Sequence, residues 1–134
     1  MVIKSHALTL IVAAPGRFRD SLRALLIALP QIGCVRQAND TPSALKAITE
    51  HRPALAFLDG SLSGDQAWAV LRQIKIEWPQ TRCIALANNG RQQREAQAAG
   101  ADAVLIKGFP AAKLFETVDR LLPEEACYEG GVVR

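Results

Sequence analysis

Pro53-Ala54-Leu55-Ala56-Phe57-Leu58-Asp59-Gly60-Ser61-Leu62-Ser63-Gly64 is the stretch whose reading decides the fold. Its apolar run from Leu55 to Leu58 reads as a strand covered on both faces, because no alternate position is polar. Asp59 ends that run just before the turn-like pair Gly60-Ser61. A lone acid at the carboxyl tip of a buried strand suggests chemistry, and the residues brought beside it decide which chemistry.

Working outward, short apolar runs alternate with segments of helical period five times, the sign of a parallel sheet with crossover helices. The expected strands are Leu8 to Ala13, Cys34 to Ala38, Leu55 to Leu58, Cys83 to Ala87 and Ala103 to Ile106, most of them too apolar to face water on either side. The first helix is expected from Arg17 to Leu29, with Phe18, Leu22, Leu25, Leu26 and Leu29 on one face and Pro30 as its stop. The second opens with Thr41 as N-cap and Pro42 at the first helical position, carries Leu45 and Ile48 inward, and is closed by Pro53. Asp65 is placed to cap the third, whose Ala67, Leu71, Ile74 and Trp78 form one stripe before Pro79. The fourth, Arg91 to Ala99, is alanine-rich, has the poorest apolar anchor of the five, and stops at Gly100. The fifth starts at Pro110 and presents Leu114, Val118, Leu121 and Leu122. Trp68 and Trp78 are assigned to core or edge packing.

A chain of 134 residues fits one domain with a substantial core, placed at 1–122, and the aperiodic 123–134 is expected to be a flexible tail or the start of a linker. Half of the residues are apolar, which excludes a disordered composition. The net charge is only +3 and the sixteen basic residues are scattered, Arg17, Arg19 and Arg23 being the one tight group, so direct nucleic-acid contact is not expected. Cys34, Cys83 and Cys127 show no paired spacing and point to a reducing cytoplasm, with Cys34 and Cys83 read as small buried hydrophobes. His6 and His51 are too isolated to build a metal site with them. No stretch approaches the ~20 apolar residues of a membrane helix, and Ala7 to Ala14 reads as a strand rather than a secretory segment, so the protein is expected to be soluble and unprocessed.

In an open parallel sheet, reactive groups collect at the carboxyl edge beside the point where strand order reverses. Ala13, Asp59, Ala87 and Lys107 all fall at such strand ends. A carboxylate and an ammonium brought together there attract each other; the plain reading is a partly exposed ion pair contributing ~0–1 kcal/mol.

Three strings, Leu10-Ile11-Val12-Ala13-Ala14-Pro15, the Pro53 to Gly64 stretch, and Ala99-Gly100-Ala101-Asp102-Ala103-Val104-Leu105-Ile106-Lys107-Gly108-Phe109, stand in the order and spacing of a receiver domain of two-component response regulators. The chain resembles that family from Leu8 to Leu122. The resemblance implies a doubly wound, five-stranded parallel sheet of order 2-1-3-4-5 with five helices, the flavodoxin-like, CheY-like α/β arrangement. It implies that Asp59 stands at the phosphoacceptor position and Lys107 at that of the lysine contacting the phosphoryl group.

Elsewhere the chain departs from the family. The acid pair that holds magnesium is Ala13-Ala14, the hydroxyl residue ending the fourth strand is Ala87, the aromatic switch position is Val104, and the proline after the lysine is Gly108. Magnesium is held by carboxylates, phosphate and water, and methyl groups offer no ligand, so Mg²⁺ binding is expected to be lost or very weak. Phosphoryl transfer depends on positioning and charge neutralisation, so loss of the metal is expected to slow it by orders of magnitude. Ala87 has no hydroxyl to move and Val104 no ring to rotate, and a modification without differential contacts shifts no equilibrium. A cis bond before a non-proline residue costs ~2.5–4 kcal/mol, so the Lys107-Gly108 bond is expected to be trans.

The sequence therefore reads as an atypical pseudo-receiver acting as a phosphorylation-independent protein-interaction module in bacterial signalling or transcription control, with Lys107 paired to Asp59 in place of a metal. No nucleophile-base pair and no phosphate-binding glycine loop is present, so no catalytic residue and no enzymatic turnover are expected. The expected partner is a histidine kinase, an output domain or another regulator, meeting the fourth helix, fifth strand and fifth helix near Arg91, Arg94, Val104 and Lys113, with homodimerisation through the same face as a further possibility. One alternative keeps Asp59 phosphorylatable, controlling a DNA-binding output domain absent from this chain. Another is a small-ligand-binding flavodoxin-like domain with a pocket lined by Ala13, Ala14 and Ala87.

Overall fold

The computed structural model describes residues 7–62 and 66–122. In chain order it contains β1 (Ala7–Val12), α1 (Arg17–Ile27), β2 (Ile32–Ala38), α2 (Thr41–His51), β3 (Leu55–Asp59), α3 (Gln66–Glu77), β4 (Arg82–Ala87), α4 (Gly90–Ala98), β5 (Ala103–Ile106) and α5 (Ala111–Leu121). The strands form one parallel sheet of order β2-β1-β3-β4-β5, as expected.

Strand side chains alternate between faces, and each face has its own core. Leu10, Val12, Ala56, Leu58, Cys83 and Ala85 pack against Ala44 and Ile48 of α2, Leu71 and Ile74 of α3, and Ala96 of α4. Ile11, Leu55, Phe57, Ile84 and Leu86 pack against Leu22 and Leu26 of α1 and Leu114 and Val118 of α5. All five residues of β3 are buried, which is why its sequence shows no alternation. Trp68 is buried in the α2, α3 and α4 layer and Trp78 packs against it half-buried, so both serve packing.

Three details differ from the sequence expectation. Asp40, one residue upstream of Thr41, is the N-cap of α2: its carboxylate accepts from the Ser43 N–H at 2.9 Å, which moves Pro42 one position further into the first turn. Cys34 is exposed, because β2 lies at the sheet edge and only Ile32, Val35 and Ala38 are turned inward. Helix α4 has a cap that the sequence reading did not name, Asn89, whose side chain accepts from the Gln92 N–H at 2.9 Å. Its weak apolar anchor is real: Ala96 is its one buried residue. The Asp65 cap and the tail at 123–134 fall outside the described residues.

At the amino edge of the sheet, Asp102 joins three elements. Its Oδ2 accepts from the Cys83 N–H at 2.7 Å and from Lys75 Nζ at 2.9 Å, and Lys75 also donates to the carbonyls of Pro79 and Thr81. Burial among these groups pushes the Cys83 thiol up to about 12. Since the thiolate is the reactive form, iodoacetamide at pH 8 should alkylate exposed Cys34 and leave Cys83 unmodified in the native protein, as read by peptide mass mapping. Thr9 is fully buried in β1 with a hydroxyl that has no hydrogen-bond partner among the described residues. Thr9→Val keeps the shape and removes that group, so the urea midpoint should rise by an amount equivalent to about 1 kcal/mol.

Candidate functional site

The sheet ladder places the two charged residues. Asp59 closes β3 opposite Leu86, and the next residue continues the register through Gly60 N–H donating to Leu86 O at 2.9 Å. Lys107 follows β5 and donates its backbone N–H to Ala87 O at 2.8 Å. The two side chains therefore rise from the same edge on either side of β4, and Lys107 Nζ lies 2.6 Å from Asp59 Oδ1.

That pair is more enclosed than the sequence suggested: the Asp59 side chain is 9% exposed and that of Lys107 22%. The Ser61 N–H donates to Asp59 Oδ1 at 2.9 Å, Lys107 Nζ donates to Ser61 Oγ at 2.8 Å, and the ammonium sits 4.7 Å from the centroid of the Phe18 ring. Three contacts of different kinds thus hold the cation, through charge, hydroxyl and ring face. Removing one partner of a pair this enclosed leaves a charge with little water to solvate it, a larger penalty than for a surface pair.

The alanines at the other strand ends close the site rather than opening it. Ala13 is 1% exposed and Ala87 is fully buried, while Ala14 faces solvent. Two of the three methyls expected to line a ligand pocket are therefore core atoms, which removes the geometric basis of the small-ligand alternative. The Ala13 carbonyl accepts from Arg19 Nη1 at 3.2 Å, and the same guanidinium nitrogen donates to Asn39 Oδ1, tying the β1 and β2 ends together. Val104 is half-buried against the α2, α3 and α4 core. No peptide bond among the described residues is cis, and Gly108 takes a φ of +98°, a left-handed backbone that proline cannot adopt.

A second set of polar contacts joins the Asp59 loop to α4. Gln92, in the first turn of α4, accepts from the Asn88 N–H at 2.8 Å and donates to Gly60 O at 3.0 Å. Ser61 Oγ donates to Asn88 Oδ1 at 3.2 Å. A Cβ at Gly60 would stand 2.4 Å from Gln92 Oε1 and 3.1 Å from Leu86 O, so any larger residue there has to push the Gln92 amide out of its present bonds. Phe18, Arg19, Ser61, Asn88 and Gln92 were not singled out by sequence as site residues. The Asn89-x-x-Gln92 spacing carried a usable signal, that of a capping box, although the Gln92 side chain reaches Asn88 rather than the cap itself.

With the fold and the strand-end pair established, the comparisons decide the family: the response regulator receiver domain model matches residues 10–119. The chain belongs to the response regulator receiver domain family. The receiver domain of NtrX from Brucella abortus is 30% identical to this chain, with a TM-score of 0.77 over 85% of this chain and 97% of that one. Against the longer NtrX structure the chain spans 27% of its length at 30% identity and a TM-score of 0.76. A LuxR-family response regulator from Aurantimonas sp. SI85-9A1 shares the fold at a TM-score of 0.79, with 22% identity over 88% of this chain and 86% of that one. No curated protein matches the chain in sequence. The chain is thus a receiver domain of two-component signalling, a class of generally non-enzymatic modules that interact with histidine kinases and output domains. Among the described residues, no helix of this receiver is long and apolar enough to cross a membrane.

Gln92→Ala deletes the bond from α4 to Gly60 O in the Asp59 loop and the bond that Gln92 accepts from the Asn88 N–H. Amide exchange at Asn88 and through the first turn of α4 should accelerate about tenfold or more, the equivalent of one or two lost hydrogen bonds, with β1 amides unchanged.

Proposed function

We propose that this receiver is a pseudo-receiver, a protein-interaction module whose state does not depend on phosphorylation of Asp59. The observation that carries this reading is the Lys107–Asp59 contact of 2.6 Å at a site where the acid-pair positions hold Ala13 and Ala14. A divalent cation needs oxygen donors. Asp59 Oδ1 is already bonded by Lys107 and the Ser61 N–H, and Ala13 and Ala14 bring no side-chain donor. The donor set does not fit magnesium, and Lys107 supplies the positive charge instead.

The second support is the means of coupling. Ala87 is buried and has no hydroxyl, and Val104 has no ring, so two groups through which the family relays a change at the acid are missing. The β3–α3 and β4–α4 loops are instead held together by Gln92, Ser61 and Asn88. An element fixed in this way presents one surface. That surface is α4, β5 and α5, where Arg91, Arg94 and Lys113 are exposed and Val104 is half-buried. It meets a histidine kinase, an output domain or another regulator in the cytoplasm, without direct nucleic-acid contact, and it also serves homodimerisation.

The retained Asp59–Lys107 pair favours a second reading, in which Asp59 accepts a phosphoryl group slowly and controls a DNA-binding output domain. Incubation with Mg²⁺ and a small acyl phosphate, followed by intact-mass measurement, separates the two. The unmodified mass is expected to persist, whereas stoichiometric modification of Asp59 establishes the second reading. Ala13→Asp with Ala14→Asp should restore measurable Mg²⁺ affinity by calorimetry and speed phosphorylation by about a hundredfold or more, since a metal in this role supplies several kcal/mol.

A further inference from the structure

Strand β2 is the edge strand on the side of the sheet away from β5. An edge strand leaves a row of backbone N–H and C=O groups without strand partners. Residues 35–37 of β2 line a groove of about 390 Å³ whose opposite wall is α2. The groove takes in three consecutive residues of this edge strand, Val35, Arg36 and Gln37. The helix wall is one stripe at three- and four-residue spacing, Ser43, Lys46, Ala47 and Glu50.

The groove is cationic. The side chains of Arg36 and Lys46 are exposed and make no hydrogen bond or ion pair with any described residue. The one acid, Glu50, lies 3.8 Å from the ring nitrogen of His51, which also lines the groove. A second copy of the chain approaching edge to edge would bring the same two cations against each other. Two cations also give little purchase on a nucleic-acid backbone, where each neutralised phosphate adds only one increment of affinity.

We propose that this groove docks an extended acidic segment of a partner protein, added to β2 as a sixth strand with its carboxylates against Arg36 and Lys46. Main-chain bonds to the edge supply affinity in such strand addition, and the flanking side chains select the sequence. The surface is separate from the α4, β5 and α5 face, so one receiver engages two partners at opposite ends of its sheet.

The probe is a fluorescein-labelled octapeptide of alternating valine and glutamate, titrated into the full chain and followed by anisotropy. Saturable binding is expected, with slowed amide exchange across residues 33–38 and loss of affinity at higher salt. Arg36→Glu together with Lys46→Glu should weaken binding about tenfold or more with the melting temperature unchanged, since both side chains are exposed. A peptide with lysine in place of glutamate should not bind. The proposal is overturned by no binding, by equal binding of the two peptides, by an undiminished affinity in the charge-reversed variant, or by protection elsewhere. Protection of residues 33–38 that rises with protein concentration alone assigns the edge to a second copy and also overturns it.

Discussion

A carboxylate at the end of a fully buried strand must find a cation, because water cannot reach it freely enough to hold its charge. Asp59 finds Lys107, and the remainder of the strand-end architecture follows from that contact. The two residues belong to β3 and the end of β5, with β4 between them, so the pair spans the sheet's carboxyl edge. Ser61 and Phe18 then serve the ammonium, one from the β3–α3 loop and one from α1.

This arrangement joins loops that are far apart in sequence. Lys107 reaches Ser61, Ser61 reaches Asn88, and Gln92 bonds both Asn88 and Gly60. Three of these four bonds are exposed to solvent and the Gln92 to Gly60 O bond is part-buried, so each contributes modestly. Helix α4 depends on them more than its neighbours do, since Ala96 is its one buried residue and little apolar contact holds it otherwise. The polar contacts at its first turn compensate for the thin core beneath it.

Much of this was legible in the residues. The five strands lie within two residues of the runs that announced them, and the Asp59–Lys107 pairing followed from two strand ends in a parallel sheet. The misplaced details share one cause, that a local pattern does not report neighbours. Asp40 and Thr41 are both good caps, and only the backbone path decided between them. Cys34 sits in an apolar run yet is exposed, because strand order put β2 at the edge. The small-ligand alternative puts Ala13, Ala14 and Ala87 around a pocket, whereas neighbouring atoms close over Ala13 and Ala87.

The sequence by itself determined the class of fold, the order of its elements, the position of Asp59 at the end of β3 and the lack of side-chain oxygen donors at residues 13, 14 and 87, because periodicity and residue chemistry are local properties of a chain. Only the tertiary structure decided how deeply the ion pair is enclosed, that Gln92 bridges two loops over Gly60, and that the edge strand β2 and helix α2 together line a cationic groove. Each of these depends on distances between residues remote in sequence, which no run of side chains encodes until the sheet has assembled.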